Sequence, residues 1–286
     1  MKKKIIILFT LVCLPLLAGA QAEIKTKKIK FEDFTSKVTK IVLTGNEFYD
    51  SSLRDEITSL WRISPYEFCT LDEFEALKTS PDYYFLLTVK GQFKKEKSPG
   101  LDFISLVKGD KKATKGIRHM LEVVSIPICS SKYPSGREHV FMHAIITIIQ
   151  DHASNAMDRD YDAYFGPRNK RLNLSETGDM DLYFAVEDLS KTITEDEISL
   201  FEEEGVLFVE EDEIDDLISS NTPNTLVSYV VSPYKAENGS YCYKMIIDCQ
   251  TKQLYFYKKK RLSKYSSVGF FSSELKYIID QRKNKK

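Results

Sequence analysis

The residues best placed to do chemistry lie between the middle of the chain and its end. His139 and His143 stand four apart in a segment with helical periodicity, so one helix face would present both to a divalent metal. The same face continues through Thr147 and Gln150, which makes it the polar stripe opposite an apolar one. Neither a His-Glu-x-x-His pattern nor a third ligand at a telling distance accompanies the pair. Asp158, Asp160 and Asp162 alternate as in a calcium loop. The sixth position would be Ala163 rather than Gly and the twelfth Asn169 rather than Glu, so this is no EF-hand and a solvated acidic linker is the better reading. Glu195 to Asp216 carries twelve acidic residues and no basic one. Facing carboxylates can hydrolyse glycosides, but these sit in first turns and on exposed helix positions, as a solvated face does. Lys258, Lys259, Lys260 and Arg261 follow Tyr255, Phe256 and Tyr257 and form a basic tail for an envelope protein or an acidic polymer. With acid in its middle and base at its end, the chain could also self-associate.

No Gly-x-Ser-x-Gly elbow, phosphate-binding loop or dinucleotide fingerprint is present. The sequence therefore assigns no catalytic residue and no cofactor. A net charge of −1 gives no field selective for nucleic acid.

The elements that must position these residues begin with an address. Lys2, Lys3 and Lys4 precede an apolar run from Ile5 to Leu17, and Ala18-Gly19-Ala20 supplies small residues for cleavage. The expected signal peptide is 1–20, with cleavage after 20 or 22. Its apolar run falls short of the roughly 20 residues that span a bilayer. No later segment is apolar enough, so the expected mature chain is exported, periplasmic or extracellular, without a transmembrane segment. Four cysteines remain, Cys69, Cys129, Cys242 and Cys249. Three pairings are open, and free buried thiols are equally compatible with a chain of this length. Cys242 and Cys249 fall on opposite faces of one expected strand and should not pair with each other.

The body reads as the same string of elements twice. Trp61 to Val89 is echoed by Phe201 to Val231. An offset of 140 sets Trp61 on Phe201, Phe68 on Phe208, Phe74 on Ile214 and Leu77 on Leu217. An offset of 142 sets Pro81 on Pro223, Phe85 on Val227, Phe103 on Met245 and Val107 on Cys249. Residues with capping-box spacing start helices at Ser52/Asp55, Thr70/Glu73, Ser135/Glu138 and Thr194/Glu197. The Ser135 helix should run unbroken to Asn155. The expected fold is α/β (α+β), a tandem duplication of a β-α-β-α-β-β-β-α unit, each a small mixed sheet with helices packed on it. The first unit covers 23–155, a linker 156–178, and the second unit 179–286.

That element order resembles the N-terminal domain of TolB and the envelope-assembly domains of curli-secretion and lipoprotein-activator proteins. The lysine-rich leader and aromatic-rich body look like secreted Bacteroidetes proteins of unknown function. The resemblance is of topology and implies a non-enzymatic binding, adaptor or envelope-assembly role. The competing expectation is a hydrolase of envelope or dietary glycan or peptide, using carboxylates or a His139/His143 metal site.

Overall fold

The computed structural model describes residues 32–158, 166–167, 173–263 and 267–284. The signal-peptide reading, Asp160 and Asp162 lie outside the described residues.

The first unit runs β1 (Val38–Val42), α1 (Glu47–Leu60), β2 (Tyr66–Cys69), α2 (Leu71–Leu77), β3 (Tyr83–Gly91), β4 (Leu101–Lys108) and β5 (Leu121–Ser130). It closes with α3 (Arg137–Val140) and α4 (Met142–Asp158). The second runs β6 (Asp181–Ala185), α5 (Glu195–Glu203), β7 (Val206–Val209), α6 (Glu211–Ser219), β8 (Thr225–Val231), β9 (Tyr241–Asp248), β10 (Leu254–Arg261) and α7 (Ser272–Lys283). Strand orders are β2-β1-β3-β4-β5 and β7-β6-β8-β9-β10. In each sheet the first-occurring strand is parallel to both its neighbours, and the other pairs are antiparallel. The two units share one topology, consistent with tandem duplication.

Register tests the equivalence residue by residue. Thr39 lies opposite Tyr66 and Tyr84, while Leu182 lies opposite Val206 and Leu226. The βα kernel therefore aligns as its spacing predicts, with Phe85 on Val227. The hairpin that follows does not. Val107 opposes Phe85, and the residue opposing Val227 is Ile247 rather than Cys249. Phe103 accordingly matches Tyr243, two residues earlier than sequence spacing suggests, because the pair Val231 and Tyr243 closes a hairpin two residues shorter than the one closed by Val89 and Phe103.

Local chemistry starts most of these helices. Thr70 and Glu73 form a full capping box on α2, as Thr194 and Glu197 do on α5, and Gly205 follows α5 in the left-handed region at φ 83°. Two expected caps are displaced. Helix α1 starts at Asn46, which accepts from the Tyr49 N–H, so Ser52 and Asp55 lie inside it. At the Ser135 helix, Gly136 takes φ 92° and Phe141 interrupts the run at φ −87°, ψ 2°, splitting it into α3 and α4. Residues 156–158, expected in the linker, finish α4.

Helix α4 is the joint of the molecule. It buries Met142, Ala144, Ile145, Ile146, Ile148, Ile149, His152, Ala153 and Ala156, a broad face opposite the polar stripe of His143, Thr147 and Gln150. Its counterpart α7 buries only Leu275, Ile278 and Ile279 among its apolar residues. The difference lies in the surroundings. Helices α1 and α4 cover the sheet-1 face carrying Ile41, Leu86, Ile104 and Leu106, and this core runs without a break into Val227, Tyr229, Met245 and Ile247 of sheet 2, together with Ile214 and Ile218 of α6. Phe141 stacks on Tyr229, with centroids 4.0 Å apart and planes 6° from parallel. The Tyr229 hydroxyl donates to the Ile128 carbonyl at 2.6 Å. The outer faces have separate cores, one around Phe74, Phe85 and Val107, the other around Phe184, Phe201 and Ile278.

All four cysteines are free and buried. Burial raises the Cys69 thiol to about 11 and those of Cys129 and Cys249 to about 12, far from the thiolate range that supports nucleophilic attack at neutral pH.

A core continuous across both units predicts one cooperative unfolding transition. Calorimetry and circular dichroism should give coincident midpoints, and Ile148→Ala should lower the stability of the whole molecule by about 2–5 kcal/mol. Two resolved transitions, with only the first shifted by the substitution, would contradict a shared core.

Candidate inter-unit cavity

The same sheet face exists twice but is covered by helices in different ways. On β9, Tyr243, Met245 and Ile247 point into the shared core. Their register equivalents on β4 are Phe103, Ser105 and Val107, spaced two apart and so on one face. Helix α2 covers only the β1–β3 side of that face, where Phe74 meets Phe85 edge-on at 5.0 Å. The β4–β5 side opens instead into a cavity of about 980 Å³.

Both units build its wall. The first contributes Val89, Phe103, Ser105, Val107 and Val124, and the second Tyr243, Tyr257 and Lys259. Phe103 meets Tyr243 edge-on across the junction at 5.7 Å. The Ser105 and Ser125 hydroxyls satisfy each other at 2.7 Å. The described residues Gly166 and Pro167 also reach the wall. Apolar and aromatic lining with a few placed polar groups is the usual make-up of a small-molecule site.

Charge gathers around this recess. Lys90, Arg118, Glu122 and Lys259 all line it, with His152 from α4. The Lys259 ammonium lies 4.4 Å from the centroid of the Tyr241 ring, 5.0 Å from Phe93 and 5.4 Å from Tyr243. Phe93 comes from unit one and the tyrosines from unit two, so this cation–π cage also spans the junction. Burial lowers the Lys259 pKa, and Glu122 opposes that shift.

The two units are held in register by a second inter-unit cluster. Arg137 of α3 is 4% exposed; its Nε donates to Asp215 Oδ1 at 2.9 Å and its Nη1 to Glu211 Oε1 at 2.8 Å. Asp188 Oδ1 lies 3.7 Å away, and Asp188 Oδ2 accepts from the Ser228 hydroxyl at 2.6 Å. The guanidinium also lies over the Phe141 and Tyr229 rings, at 5.1 and 5.3 Å. Three carboxylates around one cation leave an excess of negative charge. Complete burial pushes Asp188 up to about 6, against the pull of Arg137 and Ser228.

The sequence candidates fall as follows. His139 on α3 packs its ring against Phe48 at 4.6 Å and Tyr49 at 5.8 Å. His143 on α4 places Nδ1 3.2 Å from Glu56 Oε2. Phe48 and Glu56 lie eight residues apart on α1, about 12 Å along its axis. The structure thus aims the two histidines at different turns of α1. Asp158 ends α4. Among the described residues no group of three or more His, Cys, Asp or Glu side chains is spaced to hold a metal ion. Two members of the acidic run, Glu211 and Asp215, are partners of buried Arg137 rather than part of a free solvated face. The basic run lies on strand β10, where Lys258 pairs with Glu274 at 2.8 Å, Lys259 enters its aromatic cage, Lys260 sits 3.4 Å from the Phe271 centroid and Arg261 is exposed. Arg137 and the Phe93–Tyr241 cage carry no sequence signal, since each depends on residues far apart in the chain.

No family model, curated protein or solved structure matches this chain.

The Asp188 shift has a definite sign. Its folded pKa of about 6 exceeds the ordinary 3.8, so the folded state binds the proton first. Through this group, stability rises as pH falls from above 6 towards 3.8. Asp33 acts oppositely: bonds from Lys108, Tyr84 and Lys37 outweigh partial burial and hold it at about 2, so its contribution is present above 3.8 and lost as pH falls towards 2. Asp188→Asn should raise stability at pH 7 by about 1–3 kcal/mol and flatten its slope between pH 4 and 7. Urea titrations at several pH values check this; an unchanged slope would contradict the assignment.

Proposed function

We propose that the chain is an exported, non-enzymatic binding protein of the cell envelope whose ligand site is the cavity between its two units. The observation that carries this reading is the wall itself: Phe103, Ser105 and Val107 of one unit face Tyr243, Tyr257 and Lys259 of the other across a volume of about 980 Å³. That volume is at the upper end of the range of about 300–1,000 Å³ typical of small-molecule sites. Export is supported by the leader sequence, Lys2 to Ala20. Among the described residues no helix is long and apolar enough to cross a membrane. An assembly or adaptor role follows from the same construction, because a ligand touching both units would stabilise the junction that holds them.

A neutral apolar fluorophore, N-phenyl-1-naphthylamine, tests the site. The mature protein should bind it saturably with enhanced fluorescence. Ser105→Phe, which fills the floor, and Gln92→Trp, which narrows the mouth, should each weaken binding about tenfold or more while circular dichroism stays unchanged. Binding that both folded variants retain would place the probe elsewhere and overturn the reading.

A further inference from the structure

We infer that the cavity takes a small amphipathic organic anion, with an apolar ring or short acyl body lying on Phe103 and Val107 and a carboxylate, sulfonate or phosphate head turned towards Lys259, Arg118 and Lys90. The inference rests on the binding reading above and names the ligand class for that site.

Charge balance is the argument. The chain as a whole carries a net charge of −1. Among the described residues that line the recess the ratio is reversed, with Lys90, Arg118 and Lys259 against the carboxylate of Glu122. Elsewhere several cations have acid partners, Lys244 and Lys258 on Glu274, Lys108 on Asp33 and Arg137 on three carboxylates, while buried Lys252 is held by the Ile218 and Cys249 carbonyls. Among the described residues none of the three recess cations has a carboxylate within salt-bridge distance. Arg118 Nε donates to His119 Nε2 at 3.2 Å, and among the described residues the Lys259 ammonium faces the Phe93, Tyr241 and Tyr243 rings, with Glu122 acting on it at longer range. Lys90, Arg118 and Lys259 are exposed at the recess, and like charges beside a low-dielectric wall focus a positive potential into it, which an anionic head meets. The floor sets the other half of the ligand. Val107 and Phe103 offer no charge, and the Ser105 and Ser125 hydroxyls are occupied by each other, so the body that meets them is apolar. A recess of this volume between two units encloses one small molecule rather than presenting a surface to a bilayer.

Two probes that differ by one sulfonate separate the ligand class from the existence of the site. The mature protein is titrated with 8-anilinonaphthalene-1-sulfonate and with neutral N-phenyl-1-naphthylamine, at about 20 mM and 500 mM salt. The sulfonate should bind about tenfold tighter at low salt, and the advantage should shrink at high salt as screening shortens the reach of the cations. Lys259→Met and Arg118→Met should each cut sulfonate affinity several-fold and leave the neutral probe within about twofold. Glu122→Gln, which removes an opposing carboxylate without altering shape, should tighten sulfonate binding. Equal affinity for the two probes, or a preference for sulfonate that survives both cation variants and ignores Glu122→Gln, would overturn the anion assignment and leave the cavity reading intact. Failure of both probes to bind would instead overturn the cavity reading on which it rests. Sedimentation of the protein with phosphatidylglycerol vesicles, lost in Lys259→Met, would overturn a soluble ligand in favour of a lipid surface.

Discussion

The structure depends on one constraint: helix α4 carries a broad apolar face, opposite the polar stripe of His143, Thr147 and Gln150, and that face needs more cover than its own sheet supplies. An amphipathic helix at the end of a β-α-β-α-β-β-β-α unit can rest on its own sheet with its polar face in water, as α7 does with Leu275, Ile278 and Ile279 turned inward. Helix α4 keeps a polar stripe through His143, Thr147, Gln150 and Asp151, but its buried arc is wider, with Ile145, Ile146, Ile148 and Ile149 all covered. Burying a side chain of this size fully is worth about 1.5–3 kcal/mol. The second unit supplies the cover by bringing the α6 side of its sheet into the same core. Duplication thus yields two copies of a topology in unequal surroundings, and the inequality produces the cavity. The face that sheet 2 spends on the junction is only half covered in sheet 1.

The polar part of the junction follows a different logic. Arg137 is buried beside Asp188, Glu211 and Asp215, and one guanidinium nitrogen, Nη2, has no hydrogen-bond partner among the described residues. Desolvating these groups costs several kcal/mol per ion, and their attraction recovers only part of it. The cluster is therefore a poor source of stability. What it supplies is register: an Arg from α3, stacked on Phe141 and Tyr229, meets its partners in one relative placement of the units. Apolar packing of α4 drives the association, and the charge cluster together with the Tyr229–Ile128 hydrogen bond fixes its geometry.

Much of the fold is legible in the sequence because its determinants are local. Thr70/Glu73 and Thr194/Glu197 mark helix starts by a spacing that side-chain reach dictates, and Phe74 and Ile214 fall on matching positions because both fill the turn above a parallel strand pair. The errors arise where local signals compete with packing. Ser135 and Glu138 have capping-box spacing, yet Gly136 takes the left-handed turn and Glu138 accepts from the Gly136 N–H instead. The hairpin shift of two residues is silent because Phe103 looks as well matched to Met245 as to Tyr243. The cavity is the least legible feature. Val107 reads as a core residue in any strand of that composition, and only the tertiary arrangement leaves part of its face uncovered. Lys259 is visible as one of four successive cations, but Phe93, 166 positions earlier, decides what surrounds it.

Native-state hydrogen exchange tests the central claim, that the two units form one body around α4. Amides in the middle of α4, in β5 and in β8 should all exchange only through global unfolding, with equal opening free energies and an equal dependence on denaturant. A sub-global opening that releases β8 and α6 several kcal/mol below the global value, while α4 stays protected, would show that the second unit detaches and would contradict the account.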